Sequence, residues 1–197
     1  MRASTVNERL APIYIVDDFY TDPDRVRALA LSLEYAQTPG SHDGFPGLRS
    51  TTRYFTASHL RSFRRLIPAM GFRDRPENGA FQFLPKSAAP FSRIHADGRL
   101  GWAGVLYLNP DRDGTPGTSF HHHIKLGCSA LPTTRTRIDF AKRIWNDGAH
   151  VARWTEVACV SIRYNRLVLF KRNRFHRNAS AFGSTYGDAR LVQVFFF

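Results

Sequence analysis

The chain has 197 residues, 43% of them hydrophobic and 13% aromatic, which suits one ordered domain around a single core and excludes a disordered chain. Its 28 Lys and Arg outweigh 16 Asp and Glu to give a formal charge of +12, and 24 of those cations are Arg. Cys128 and Cys159 are too few for a disulfide framework, no segment approaches the roughly 20 apolar residues of a membrane span, and residues 1–9 hold no secretory apolar run, so the chain reads as cytoplasmic.

Ile13 to Val16 reads as a short strand. Asp22 and Pro23 then open a helix, with Val26, Leu29, Ala30 and Leu33 at helical spacing, that runs to about Tyr35 and stops at Thr38-Pro39-Gly40. The stretch Gly40 to Arg53, with Gly44, Pro46 and Gly47, reads as a loop placed to lie over a pocket. Ser58 can cap a second helix with Leu60, Phe63, Ile67 and Met70 three or four apart, ended by Gly71. Both helices are expected on the outside of a sheet.

From Ala80 the period changes to two. Strands are expected at 81–84, 92–97, 102–108, 118–124, 156–164, 166–170 and 190–197, broken by the turn 109–114 and by one helix that Thr136 caps and Asp147-Gly148 closes. Many short strands with two early helices predict a mainly β fold, a sandwich or jelly roll with helices on one face. Residues 1–197 form one domain in this reading: helical support over about 17–75 and a β core over about 80–197.

The chemistry concentrates at Arg93-Ile94-His95-Ala96-Asp97. Side chains two apart on an extended segment share a side, so His95 and Asp97 can grip one ion. A second His from a distant strand would complete a two-His-one-carboxylate set, which leaves iron(II) with open positions. His176 is the candidate, and His150 and the run His121, His122 and His123 compete with it. Taken alone, a His-x-Asp tripeptide is weak evidence and is better explained by a surface turn.

The ordered set of motifs narrows this. His95-Ala96-Asp97, then Val105-Leu106-Tyr107-Leu108-Asn109, Gly117-Thr118, a Leu-Phe segment ending at His176, and Arg190 before Gln193-Val194-Phe195-Phe196-Phe197 resemble the iron(II)/2-oxoglutarate-dependent oxygenases. The Tyr-Leu-Asn stretch and the tail are similar to the prolyl-hydroxylase-like branch. The start, Val16 to Arg25, and Trp102 to Asn109 are similar to a bacterial set of 2-oxoglutarate oxygenases, so the resemblance covers nearly the whole chain.

The resemblance implies a double-stranded β-helix, a cupin-like jelly roll, with His95, Asp97 and His176 as both the metal ligands and the catalytic set for iron(II). It implies that 2-oxoglutarate and O2 are consumed, and that Arg190 pairs the far carboxylate of 2-oxoglutarate with help from Tyr107 and Thr118. Two departures stand out: 14 residues separate His176 from Arg190, so the loop Asn178 to Asp188 is expanded, and Val192 replaces the hydroxyl residue often found two after the Arg. An intact Asp97 argues against the related halogenases, which carry a small residue there.

The implied activity is hydroxylation of an unactivated C–H bond in an amino acid, a peptide or a carrier-protein-tethered substrate, with natural-product biosynthesis a fitting context. The alternatives are a nucleic-acid oxidative demethylase and a non-catalytic metal-binding β-barrel module. The first lacks the second Arg that such relatives carry on the last strand, which makes nucleic acid an unfavoured partner, and the intact ligand set speaks against the second. The Arg excess is either a composition bias or an attraction for an acidic partner, and Arg172, Arg174 and Arg177 around His176 are expected to rim the site.

Overall fold

The protein is described from a computed structural model, which covers residues 3–6, 12–37, 47–68, 71, 75–134 and 138–197. Strand β1 (Ala3–Val6) pairs antiparallel with β2 (Ile13–Val16). Helix α1 (Pro23–Ser32) starts as expected, because the Asp22 side chain accepts the Arg25 N–H at 3.0 Å and Pro23 sets the first turn. It stops short of Tyr35. Leu33 is already extended, and β3 (Tyr35–Ala36) is drawn into pairing with β4 (Leu48–Arg53).

The stretch read as a loop therefore ends in a strand, whereas residues 40–46 lie outside the described part. So do Met70 and Thr136, the expected last apolar position of the second helix and the cap of the third. Helix α2 (Ala57–Leu66) begins at Thr56 rather than Ser58, because the Thr56 N–H donates to His59 Nδ1 at 3.0 Å and closes the first turn. Its buried face is His59 and Phe63, with Ile67 just beyond.

The remaining elements are β5 (Ala80–Leu84), β6 (Trp102–Tyr107), β7 (Pro116–His123), α3 (Ile138–Asp147), β8 (Trp154–Ser161), β9 (Leu167–Lys171), β10 (His176–Asn178) and β11 (Arg190–Phe196). The strand expected over 92–97 is a correction. His95 alone makes a β-bridge there, to His176, and the chain around it is irregular.

Eight strands form one antiparallel sheet in the order β1-β2-β9-β6-β11-β5-β4-β3, and β10-β7-β8 form a second. Period-two alternation divides the large sheet's two faces. Leu106, Leu167, Leu169, Leu191 and Phe195 pack with Val26, Ala30 and Phe63 under α1 and α2. Tyr107, Val168, Phe170, Val192 and Val194 face the other way, toward Phe120 and Val160 of the small sheet. Two antiparallel sheets face to face, with helices outside the larger, make a jelly roll.

The third helix does something different. Ile144 of α3 and Trp154 of β8 pack on Ile94 and Phe175, one residue before His95 and His176 respectively. Burying these two apolar neighbours on one side turns both His side chains to the other, into the space between the sheets. Gly148 permits the close approach, since a Cβ there would meet the Ile94 carbonyl oxygen at 2.3 Å, and the Ile94 N–H donates to Gly148 O at 2.9 Å. Among the described residues no helix is long and apolar enough to cross a membrane.

A buried polar chain ties the helices to the centre of the large sheet. Since His59 Nδ1 accepts from Thr56, neutral His59 carries its proton on Nε2 and donates to Tyr20 Oη at 2.6 Å; that hydroxyl donates to Gln193 Oε1 at 2.5 Å. Gln193 Nε2 ends the chain on the Tyr54 and Gly79 carbonyls at 2.8 and 3.1 Å. Burial pushes the His59 imidazole down to about 4, so the neutral form is the one present at pH 7.

Candidate metal centre

Asp97 stands between two imidazoles, with Oδ1 3.5 Å from His95 Nε2 and Oδ2 3.4 Å from His176 Nε2. Ligand atoms from the three residues all lie within 4.8 Å of one another, close enough for one metal ion. Both segments enter the cleft at the same level, because His95 N–H donates to His176 O and His176 N–H to His95 O.

The tautomers follow from the backbone. His95 Nδ1 lies 2.9 Å from the Arg93 carbonyl and His176 Nδ1 lies 2.9 Å from the Arg174 carbonyl. A carbonyl can only accept, so each Nδ1 carries a hydrogen, and Nε2 is the nitrogen that holds the lone pair when either imidazole is neutral. A neutral imidazole oriented by an N–H bond to a carbonyl is the ligating form.

The electrostatics agree with that state. Burial works to raise the Asp97 carboxyl, but His176, His95 and Arg172 together outweigh it and hold the group down at about 2. Burial drives His176 down to about 4 despite the opposing pull of Asp97. At neutral pH the set is thus one carboxylate and neutral His176, with no proton for an ion to displace from either.

The competing histidines go elsewhere. His150 is exposed, His121 Nε2 bonds Ser119 Oγ at 2.8 Å, and His122 Nδ1 bonds Ser129 Oγ at 2.9 Å. His123 Nδ1 accepts from the Leu126 N–H, so its Nε2 donates to Asp147 Oδ2 at 2.8 Å in the packing under α3. Asp147 also pairs with Arg153, which together with His123 holds its carboxyl low against the burial that would raise it.

A second cluster lies behind the cleft wall. Thr118 and Asn178 line the cleft, paired in register across β7 and β10. Thr118 Oγ1 bonds Tyr107 Oη at 2.8 Å, and Asn178 Oδ1 accepts Arg190 Nη1–H at 2.9 Å. Arg190 is 1% exposed, with Cζ 5.5 Å from the centre of the Tyr107 ring, yet its Nε and Nη2 are buried without a hydrogen-bond partner among the described residues. A buried guanidinium with unmet donors is costly by itself and suits an anion.

The expanded loop has a place in this cluster, since both Asn178 and the Ser180 carbonyl face Arg190 Nη1. Val192, where a hydroxyl was noted as missing, is simply buried in the core. Gly117 makes room for the tyrosine: a Cβ there would lie 2.6 Å from Tyr107 Oη.

The Arg rim expected around His176 needs correction. Arg172 Nη2 donates to the Asp97 carbonyl at 2.6 Å, and Arg174 is 3% exposed with its guanidinium over the Phe120 ring. Arg174 is thus buried rather than on a surface rim, while Arg172 is half-buried beside Asp97. Arg49 of β4, by contrast, lines the cleft and was hidden within the segment read as a loop.

Fold and site together define a jelly-roll protein with a partly buried two-histidine, one-carboxylate donor set. The chain belongs to a family of unknown function, DUF6445, whose model matches residues 1–181. No curated protein matches the sequence. Among solved structures, a selenomethionine-labelled Fe(II)/(alpha)ketoglutarate-dependent dioxygenase, TqaL, is similar over 93% of this chain and 82% of its own, at a TM-score of 0.44 and 10% identity, a distance at which the likeness carries no argument about function.

Proposed function

We propose that the chain is a non-haem iron(II)- and 2-oxoglutarate-dependent oxygenase that hydroxylates an unactivated C–H bond in an amino acid, a peptide or a carrier-tethered group. The observation that carries the reading is the pair of Nδ1–H bonds to the Arg93 and Arg174 carbonyls, which leaves two imidazole lone pairs and one carboxylate facing a common point. Two neutral nitrogens and one anionic oxygen, without thiolate, suit iron(II) better than a structural zinc. Held by His95, Asp97 and His176, iron(II) supplies open positions for a 2-oxo acid and O2, and with them the oxidising power for attack on C–H.

The chain's own residues do the rest. Arg190 offers a buried cation with unmet donors to the far carboxylate of 2-oxoglutarate, and Tyr107 and Thr118 stand beside it as one hydrogen-bonded unit. Val105, Val194 and Phe196 give the cleft apolar walls, which keep water away from the reacting carbon. Arg172 holds the main chain at Asp97 and so steadies the carboxylate.

The test is anaerobic titration of the purified protein with iron(II) and then 2-oxoglutarate, followed by admission of air. Binding of both, a visible charge-transfer absorption on adding the 2-oxo acid, and succinate formation are expected, all lost in His176→Ala. A wild-type protein that binds neither iron(II) nor 2-oxoglutarate would overturn the reading.

A further inference from the structure

Asn178 belongs to two parts of this site. Its side chain lines the cleft beside Thr118, and its Oδ1 accepts Arg190 Nη1–H at 2.9 Å on the far side of that lining. Arg190 at 1% exposure and Tyr107 at 0% stand behind the two, so the path from the three donors to the guanidinium runs past Asn178 or Thr118. On β10, His176 and Asn178 share a face two residues apart, about 7 Å along the strand, which is the length scale of a short diacid.

Of these two wall residues, Asn178 is the one that can swing. Thr118 lies on the central strand of the small sheet, and its Oγ1 is bonded to a tyrosine hydroxyl packed close against Gly117. The main chain of Asn178 is fixed as well, by register with Thr118, by its carbonyl accepting Ser92 Oγ–H at 3.2 Å, and by the Ala179 N–H on Gly117 O at 3.0 Å. Among the described residues, however, its side chain is held by the Arg190 bond alone. A strand admits more than one χ1 rotamer, so one rotation takes the amide off the guanidinium without disturbing the sheet.

The amide oxygen gives the buried guanidinium one neutral acceptor, and Arg190 Nε and Nη2 stay unmet. A carboxylate would give it a charged acceptor for two donors at once, each bond roughly twice as strong as a neutral one. Resting on the oxygenase reading, we propose that Asn178 is the gate of the cosubstrate site. Its amide holds the place of the far carboxylate on Arg190, and a 2-oxo diacid enters by displacing it, which an acid without the second carboxylate cannot do. Asn178 is thus a specificity residue that acts through Arg190.

The experiment uses the full chain loaded with manganese(II) and measures two ligands by calorimetry. N-oxalylglycine, an unreactive analogue of 2-oxoglutarate, carries both carboxylates; oxalate chelates the metal and is too short to reach Arg190. Asn178→Ala should bind N-oxalylglycine at least about threefold more tightly than wild type, since no amide has to be displaced. Asn178→Asp, nearly the same in shape, gives Arg190 a carboxylate of its own and should bind N-oxalylglycine at least about tenfold more weakly. Oxalate affinity should change by less than about threefold in either variant, and in an Arg190→Gln background neither substitution should change N-oxalylglycine binding by more than that, a coupling that a merely structural Asn178 would not show.

Unchanged or weaker N-oxalylglycine binding in Asn178→Ala overturns the proposal, because the amide would then be idle or would help to hold the cosubstrate rather than yield to it. Unchanged binding in Asn178→Asp, a loss there that oxalate shares, or an effect of either substitution that persists in Arg190→Gln overturns it too. Failure of wild type to bind manganese(II) and N-oxalylglycine at all would instead remove the oxygenase reading on which this one rests.

Discussion

His95 and His176 exchange two main-chain hydrogen bonds, His95 N–H to His176 O at 3.0 Å and His176 N–H to His95 O at 2.9 Å. Neither bond involves an imidazole. The positions of the two rings in the cleft are therefore set by backbone pairing and by the packing of Ile94 and Phe175 behind them, whether or not an ion is present.

That separation predicts that His95→Ala, Asp97→Ala and His176→Ala lose metal without losing the fold. Iron(II) affinity should fall by more than about a hundredfold, larger than the loss typical of residues that only support a ligand. Wild type should gain about 2.7 kcal/mol of stability in manganese(II) at a hundred times its Kd, and the three variants should gain almost none. Metal analysis and paired melting curves check both statements. Full iron occupancy in His176→Ala would move the third ligand to another residue.

Arg190→Met should have opposite effects on ligand and fold. Losing a charged partner in a buried site costs about 2–5 kcal/mol, hence more than tenfold in 2-oxoglutarate affinity. The ligand-free protein, relieved of a buried cation with two unmet donors, should be no less stable than wild type. Titration of 2-oxoglutarate and denaturant unfolding of the ligand-free form would reveal the split; a parallel loss of both would make Arg190 a structural residue.

Gly117→Ala probes the Tyr107 position without touching a charged group. The new methyl would meet Tyr107 Oη and the Val160 carbonyl, both at 2.6 Å, so the tyrosine must shift and its bond to Thr118 must lengthen. A destabilisation of about 1–3 kcal/mol is expected from the overpacking, together with weaker 2-oxoglutarate binding. Unchanged cosubstrate affinity in a destabilised variant would show that Tyr107 does not take part.

Acid should weaken the fold well above the carboxylate range. His59 falls from its ordinary 6.5 to about 4 on folding, chiefly through burial, so between those values the unfolded chain binds more protons than the folded one. Stability is then complete above about pH 6.5 and declines as pH drops toward 4, by up to about 3 kcal/mol for this group. His121 and His176 are shifted the same way and add to the slope. His59→Gln should flatten the decline by about one proton, measured by denaturant unfolding between pH 7.5 and 4; an unaltered slope would contradict the buried neutral imidazole.

The candidate donor set was legible only in part: the spacing of His95 and Asp97 is local, whereas His176 and Arg190 were singled out by the order of motifs in the family resemblance, because nothing local links them to His95. The strand at 48–53 was not legible, since its Gly- and Pro-flanked polar composition looks like a loop and only pairing with β5 makes it extended. That error concealed Arg49. The i−2 carbonyls that fix both imidazoles, and His59 as the residue that closes the first turn of α2, depend on backbone placement that residue types do not report.

Strand β11 carries Arg190 on one face and Gln193 on the other, and it lies between β6 and β5 in the middle of the large sheet. Of the described strands it is also the last to leave the ribosome. Until it inserts, β5 and β6 each present an open edge, and the polar relay from His59 through Tyr20 has no amide on which to end. A nascent chain must therefore hold two unpaired apolar edges during the slowest part of its folding, when pairing depends on contacts far apart in sequence. Slow induction at low temperature and chaperone supply, rather than surface redesign, are the conditions under which this protein should be recovered in quantity.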